Sequence, residues 1–381
     1  MVASGASPSR YYRPELDVVR FLAFILVFVY HELPHDPDPR IADVLKGFAP
    51  VIYSISNACG FGLSLFFTLS AFLICELLLR ERATTGTVAI KQFYIRRILR
   101  IWPLYYLGLL IGLAVALLPG GYRGDIVYMG WFSLFMAGWY TSIHGVTANP
   151  MGPLWSISVE EQFYLFAPWI VKYLNRRALY GFCVLLVLVA NAWLYHLGTV
   201  RASDTAIWYN SFVQFQCFAA GILVCLMLRG QSLRLAAWHR LLLLAGAWFC
   251  WFYPCYGLHV RFAEFENPGS WPLTGGYALA ALGCVLVLVA FLGVSPKLLP
   301  GWAIYLGRIS YGLYVYHRLA AYITGKLLIR HLASFNSPIY FLKGALALGL
   351  TVLMAALSYR YFETPFLKMK KRHAVIQSQP V

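Results

Sequence analysis

Long apolar runs separated by short polar links extend from one end of the chain to the other. There are eleven such runs, and each has about the 17 to 25 residues that an α-helix needs to cross the hydrocarbon core of a bilayer. The pattern therefore predicts an all-α fold, a polytopic bundle of membrane helices. The runs fall near residues 18–34, 57–80, 99–118, 126–142, 156–172, 179–197, 211–228, 239–256, 274–294, 303–325 and 339–360.

Lysine and arginine are concentrated in the links rather than in the runs. Short basic links face the cytoplasm in most membrane proteins, so we expect six links on that side. Eleven full crossings would place the two termini on opposite sides and contradict this distribution. The six links are the N-terminus, Arg80 to Arg100, Lys172 to Arg177, Arg229 to Arg240, the loop with Lys297, and the tail from Lys368 to Arg372.

The conflict between eleven crossings and six cytoplasmic links disappears if one of the runs does not cross the membrane. The segment 126–142 is short, rich in glycine and aromatic residues, and flanked by loops with Gly and Pro, which favours a re-entrant or interfacial helix on the outer side. About ten transmembrane helices then remain, with both termini cytoplasmic. We expect a single integral-membrane domain over 1–381, with a cytoplasmic N-terminal segment at 1–17 and a basic cytoplasmic tail at 367–381.

Composition points to the same class of protein. The 381 residues are 60% hydrophobic and only 12% charged, whereas soluble domains carry about 25% charged residues. We therefore expect a multi-pass protein of the inner or plasma membrane, surrounded by membrane lipid. The net charge of +16 does not indicate a nucleic-acid partner, because the basic residues lie where they orient helices. The eight cysteines lack metal-ligand spacing, so we expect buried thiols and no metal site.

The first apolar run contains two ionisable residues. Arg20 and His31 are separated by ten uncharged residues. On a helix this separation is about three turns, so both side chains lie on one face, about 16 Å apart in depth. Ionisable groups inside a membrane are costly and usually functional. The spacing therefore predicts a site that runs through the bilayer.

Other runs add ionisable groups at predicted depths. Helix geometry places Glu160 and Glu161 about 6–8 Å below the outer surface, and His317 about 21 Å from the inner surface. Arg308, in the same run as His317, is predicted near the inner surface.

Two more arginines, Arg97 and Arg100, are also predicted near the inner surface. Arginine binds phosphate through forked, permanently charged donors, and histidine can take a proton from a hydroxyl. The sequence thus predicts an anionic donor bound from the cytoplasm by Arg20, Arg97 and Arg100, with base chemistry near His31.

Six blocks of sequence resemble the membrane proteins of acyltransferase family 3, in the same order. The resemblance spans nearly the whole chain. It implies transfer of an acyl group, most often acetyl, from cytoplasmic acyl-CoA to a hydroxyl of an envelope polysaccharide, a lipid-linked glycan or a small glycoside. Acyl-CoA is then a co-substrate, and no permanently bound cofactor is expected. The blocks are YRPELDVVRFLAFILVFVYH (12–31), FFTLSAFLI (66–74), FYIRRILRIWPLYY (93–106), LWSISVEEQFYLFAP (154–168), LGRISYGLYVYH (306–317) and LSYRYFETPF (357–366).

The resemblance also implies roles for individual residues. Arg20 and His31 match the family's arginine–histidine signature, Arg97 and Arg100 match its RxxR motif, and Glu160 matches the glutamate of its WSxSVE block. His31 is then the general base, or a nucleophile that forms an acyl-histidine. Glu160 would orient His31 or the sugar.

Structural explanations compete with some of these roles. A carboxylate such as Glu160 also stabilises the start of a helix, and the two arginines of the RxxR motif are also typical topology anchors. Glu161, His317 and Arg308 are weaker candidates for substrate binding. Glu161 is equally compatible with a solvated position, and His317 with a stabilising pair to Glu363 or to backbone carbonyls.

A different class of protein would use the same residues. In a proton-coupled transporter or flippase, intramembrane ionisable residues relay protons or bind the solute. We find no internal repeat of the kind that many transporters contain, so the sequence favours the enzyme.

Overall fold

Helices account for the regular secondary structure in the described part of the chain. The computed structural model describes residues 11–34, 46–118, 121, 124–231, 233–260, 267–331, 337–374 and 376, and within these ranges it contains no strand. The predicted all-α class is therefore confirmed. Residues 1–10 and 377–381, the ends of the predicted terminal segments, lie outside the described residues.

Sixteen α-helices follow one another along these ranges, with a π-helical turn at Ser358–Glu363 before the last. They are α1 (Pro14–Glu32), α2 (Ala49–Gly60), α3 (Gly62–Thr85), α4 (Ile90–Leu117), α5 (Gly124–Ser133), α6 (Ala137–His144), α7 (Trp155–Tyr173), α8 (Arg176–Thr199), α9 (Asp204–Trp208), α10 (Ser211–Leu228), α11 (Ala237–Tyr256), α12 (Ser270–Phe291), α13 (Gly301–Arg308), α14 (Ser310–His331), α15 (Ser337–Leu357) and α16 (Thr364–Lys371).

Six helical stretches in the described ranges are long and apolar enough to cross a membrane. They are Ala49–Thr85, Ile90–Leu117, Arg176–Thr199, Asp204–Leu228, Ser270–Phe291 and Ile339–Lys371. The chain is thus multi-pass. Helices α1 and α7, each of 19 residues, carry several ionisable side chains, and these include four of the predicted site residues, Arg20, His31, Glu160 and Glu161. The count of about ten spans and the cytoplasmic termini stay predictions.

Helices α3 and α10 form the centre of the bundle. The apolar stretches that contain them are 72% buried, whereas those containing α8 and α15 are 22% buried. The contact between α3 and α10 is close because Gly221 of α10 lies directly against the Thr68 carbonyl of α3. Glycine is required there, since a Cβ would overlap this oxygen.

Three apolar runs predicted as single segments contain a boundary between two α-helices in the structure, and in the run 57–80 this boundary lies at Phe61, between α2 and α3. The run 126–142 forms α5 and α6, of 10 and 8 residues, which are too short to cross a bilayer. Phe135, with φ of 56°, lies between them. The run 303–325 was predicted as one helix and is two, α13 and α14, separated at Ile309. Arg308 and His317 therefore lie on different helices.

Helix α1 begins before the apolar run that predicts it. Pro14 is the first residue, where its fixed φ and missing N–H cost nothing. Glu15 and Asp17 in the first turn are buried and paired: Glu15 accepts from the Gly293 amide at 3.3 Å, and Asp17 forms a salt bridge with Arg20. The helix is continuous to Glu32, so Arg20 and His31 share it as predicted.

The close contact between α3 and α10 yields a stability prediction. Gly221→Ala should lower the free energy of unfolding by about 1–3 kcal/mol, the usual cost of overpacking a core. Gly181→Ala on α8 is the matched control, because a Cβ there meets nothing within 4 Å. Thermal unfolding of the detergent-solubilised protein measures both. Equal midpoints for the two variants would contradict the contact.

Candidate active site

Three cavities follow one another through the bundle. We call them the inner cavity, of about 60 Å³, the middle cavity, of about 110 Å³, and the outer cavity, of about 500 Å³. The inner and middle cavities share lining residues, and so do the middle and outer cavities, so the three adjoin one another in series, and we call this series the route. The shared residues are Arg20, Ser70, Arg97 and Arg100 in the first case and Leu63 and Tyr314 in the second.

The inner cavity brings together the arginines predicted to bind an anionic donor. Arg20 projects from α1 and is held by Asp17 at 2.6 Å. Arg97 projects from α4, and its guanidinium lies 5.7 Å from the ring centres of Phe93 and Tyr164. Flat rings on both sides hold the planar guanidinium in position while leaving it charged.

Lys370 also lines the inner cavity, and sequence reasoning did not select it. It lies in the segment predicted as a basic tail, but α16 folds back against α4, where Leu367 is buried. Arg96 of α4 donates a hydrogen bond to the His373 carbonyl at 3.0 Å just beyond. No spacing motif marks Lys370; the apolar position of Leu367 among lysines was the available signal.

The entrance to the inner cavity includes residues that precede α1. Tyr11, Tyr12 and Arg13 line it. Burial raises the pKa of the Tyr11 phenol well above its usual range, so this side chain stays neutral. A neutral phenol offers a hydrogen-bond donor to an anion and adds no repulsion.

The middle cavity contains Glu160. Its carboxylate accepts a hydrogen bond from the Tyr164 hydroxyl at 3.2 Å, and that hydroxyl is in hydrogen-bond contact with Ser70. Glu160 lines this cavity, whereas His31 lines the next. The structure therefore puts the carboxylate on the route between the arginines and the histidine.

Tyr314 and Leu63 separate the middle cavity from the outer one. The Tyr314 hydroxyl donates to the Pro153 carbonyl at 2.8 Å and lies 2.6 Å from the Ser156 hydroxyl. Its ring also lies 5.9 Å from that of Phe66. These contacts fix the ring as a partition, which a donor must pass to reach His31.

His31 lines the outer cavity. The cavity wall is mixed, with the aromatic rings of Trp155 and Tyr209 beside polar groups such as Asn149 and Thr205. Stacking surfaces and hydrogen-bonding groups of this kind suit a sugar ring. His31 is thus accessible to an acceptor from this side.

His317 lies directly beside His31. The two ring centres are 5.1 Å apart, and His317 is only 1% exposed. Its Nδ1 lies 2.6 Å from the Tyr314 carbonyl, which can only accept, so Nδ1 carries the proton. Its Nε2 is buried without a hydrogen-bond partner among the described residues. This Nε2 atom thus belongs to a buried ring that lies next to the candidate base.

Two further predicted residues lie off the route. Glu161 accepts a hydrogen bond from the Trp102 indole at 3.1 Å and so connects α7 to α4. Arg308 lies against Tyr12, with 3.4 Å between its guanidinium and the hydroxyl. Neither lines any of the three cavities.

Some charged and polar side chains around the route form stabilising contacts, as the structural explanations predicted. Arg318, next to His317, lies 3.8 Å from Glu32 and donates to the His31 carbonyl at 3.4 Å. Glu363 accepts from the Ser358 hydroxyl at 3.3 Å. Of the two stabilising partners predicted for His317, Glu363 or a backbone carbonyl, the structure shows the second, the Tyr314 carbonyl.

Comparison with known proteins places the chain in a family. The model of acyltransferase family 3, described as an acyltransferase domain, matches residues 13–360. The chain belongs to this family. Comparison with solved structures gives no match.

Curated relatives share most of this chain at low identity. The peptidoglycan O-acetyltransferase OatA of Listeria monocytogenes is 23% identical over 384 residues, 94% of this chain and 56% of the relative. YrhL of Bacillus subtilis, provisionally named for the same activity, is 25% identical over 93% of this chain and 55% of its own length. A provisionally named O-acetyltransferase of Staphylococcus aureus is 23% identical over 94% and 58%. The chain thus spans little more than half of these relatives.

Access to His31 can be tested by thiol labelling. All eight native cysteines are buried, so a cysteine introduced on the route should react above a low background. We expect His31→Cys to be labelled by a small maleimide, because it faces the outer cavity. Val19→Cys, on the same helix but 0% exposed, is the control. Equal labelling of the two variants would show that His31 has no special access.

Proposed function

We propose that this protein transfers an acyl group, most simply acetyl, from acyl-CoA to a hydroxyl of a cell-envelope carbohydrate. One observation carries the proposal: three adjoining cavities, the last two divided by Tyr314, lie in series between a cluster of cationic side chains and His31. Membership of acyltransferase family 3 and the names of the relatives support the reaction class. The membrane is then the plasma membrane.

The donor would enter through the inner cavity. Arg20, Arg97, Arg100 and Lys370 converge there, and their charge complements the phosphates of CoA. The linear pantetheine arm would extend into the narrow middle cavity. Glu160, whose carboxylate accepts hydrogen bonds, would receive one from an amide N–H of this arm and so orient the thioester.

His31 would act as the general base from the outer cavity. It takes the proton of the acceptor hydroxyl while the oxygen attacks the thioester carbonyl carbon. The C–S bond then breaks, and the CoA thiolate leaves with the proton from the imidazolium. The ring centre of His317 lies 5.1 Å from that of His31, and His317 would stabilise the orientation of the His31 ring. Attack by His31 itself, through an acyl-histidine, is the competing mechanism.

The acceptor would bind in the outer cavity. Its size and its mixture of aromatic and polar lining suit one or two sugar residues. The relatives' names point to peptidoglycan as the polymer they modify, and we propose the same class of acceptor, an envelope glycan, for this chain.

Substitution of His31, the proposed general base, tests the proposed acyl transfer. In the purified protein, His31→Ala should reduce acceptor-dependent CoA release by about 10²–10⁴-fold, the usual contribution of a general base, with donor binding unchanged. His239→Ala, which changes an exposed histidine of α11, should leave the rate unchanged. Wild-type rates in His31→Ala would refute the assigned role. CoA release without any acceptor would favour the acyl-histidine mechanism instead.

Removal of the cationic side chains tests the donor site. Arg97→Gln and Arg100→Gln should each weaken acyl-CoA binding by about tenfold or more, because each removes a charge-assisted hydrogen bond worth about 1.5–3 kcal/mol. Arg177→Gln, at an exposed position off the route, is the control for loss of one positive charge. Binding measured with a non-hydrolysable acyl-CoA analogue decides the outcome. Equal losses in all three variants would indicate only long-range attraction.

A further inference from the structure

A fourth cavity, separate from the route, opens at the ends of three helices. It has a volume of about 450 Å³ and lies where α3 ends, α8 begins and α10 ends. None of its lining residues lines the inner, middle or outer cavity. They are Leu79, Arg82, Ala83, Asn175, Arg176, Leu179, Cys225, Leu226 and Arg229.

Three arginines and no carboxylate line this cavity. Arg82, Arg176 and Arg229 come from three different helix ends. Arginine stays protonated in proteins, so three positive charges line one cavity and repel one another. A bound anion would relieve this repulsion.

Two of the three arginines are held in place by backbone carbonyls, which cannot neutralise them. Arg82 donates to the carbonyls of Val171 and Leu174, at 2.8 Å in both cases. Arg176 donates to the Leu226 carbonyl, and its Nε is buried without a hydrogen-bond partner among the described residues. Two of the three guanidinium groups are thus held at fixed positions, and no carboxylate among the described lining residues compensates their charge.

The rest of the lining is apolar and belongs to membrane-spanning helices. Leu79, Leu179, Cys225 and Leu226 form the wall, while Ala83 and Arg229 are exposed at the mouth. The three helices belong to stretches apolar enough to cross a membrane, and the arginines lie at their ends. This is the level of the lipid headgroups. Charge above an apolar wall at this level fits an amphipathic anion better than a free ion.

We propose that this cavity binds an anionic phospholipid. Its phosphate would lie on Arg82, Arg176 and Arg229, and an acyl chain would follow the apolar wall between α3, α8 and α10. Basic pockets between membrane helices bind lipid headgroups in this way. The lipid would bridge α3, α8 and α10, and it would brace α7 through Arg82, independently of the reaction proposed for the route.

Native mass spectrometry of the full chain tests the proposal. The probes are dioleoylphosphatidylglycerol and, at equal concentration, dioleoylphosphatidylcholine. We expect the anionic lipid to remain bound preferentially. Arg229→Asn should weaken its binding about fivefold, since one arginine near a headgroup contributes about 1 kcal/mol and 1.4 kcal/mol is tenfold. Arg229 has φ of 52°, a conformation that Asn tolerates, so the variant should fold.

Arg234→Asn is the matched control, because Arg234 is exposed on the same link and does not line the cavity. The Arg234→Asn variant should bind the anionic lipid as the wild type does. Three results would overturn the proposal: equal binding of phosphatidylcholine, equal losses in the two arginine variants, or displacement of the lipid by millimolar inorganic phosphate. The last result would assign the cavity to free phosphate.

Discussion

The rest of the site depends on one uninterrupted helix, α1. Because Arg20 and His31 occupy the same helix eleven residues apart, the rise of the α-helix fixes about 16 Å between the residue that lines the inner cavity and the one that lines the outer cavity. The helix is held at its start, where Asp17 pairs with Arg20 and Gly307 of α13 lies directly against the Asp17 carbonyl. A residue larger than glycine at 307 would displace α1 and both ends with it.

Buried carboxylates neutralise the cationic side chains around the route. Glu32 pairs with Lys343 at 3.1 Å beside the outer cavity, and Glu81 pairs with Arg96 at 2.9 Å beside the inner one. Arg97 differs, because it lies against two aromatic rings and forms no salt bridge within the described ranges. A phosphate-binding cavity requires a positive charge that is held in place and is not already neutralised by a carboxylate. The same reasoning applies to the arginines of the fourth cavity.

The sequence predicted the features that depend on local residue patterns, and it missed those that depend on contacts between helices. Helical periodicity placed Arg20 and His31 on one helix, and the hydrophobic runs gave the all-α class. The position of Lys370 in the inner cavity requires α16 to fold back onto α4, and the partition at Tyr314 requires α14 to lie against Pro153 and Ser156. Local patterns carry no information on such contacts. The break at Ile309 was missed for a related reason, because α13 and α14 are both apolar and read as one run.

The most direct measurement is an experimental structure of the protein with a non-hydrolysable acyl-CoA analogue. We expect the phosphates to lie among Arg20, Arg97 and Arg100 and the pantetheine arm to lie beside Glu160. The acyl group should lie past Tyr314, in the cavity that His31 lines. A donor bound on the surface of the bundle, or an acyl group that ends on the inner side of an unmoved Tyr314, would contradict it.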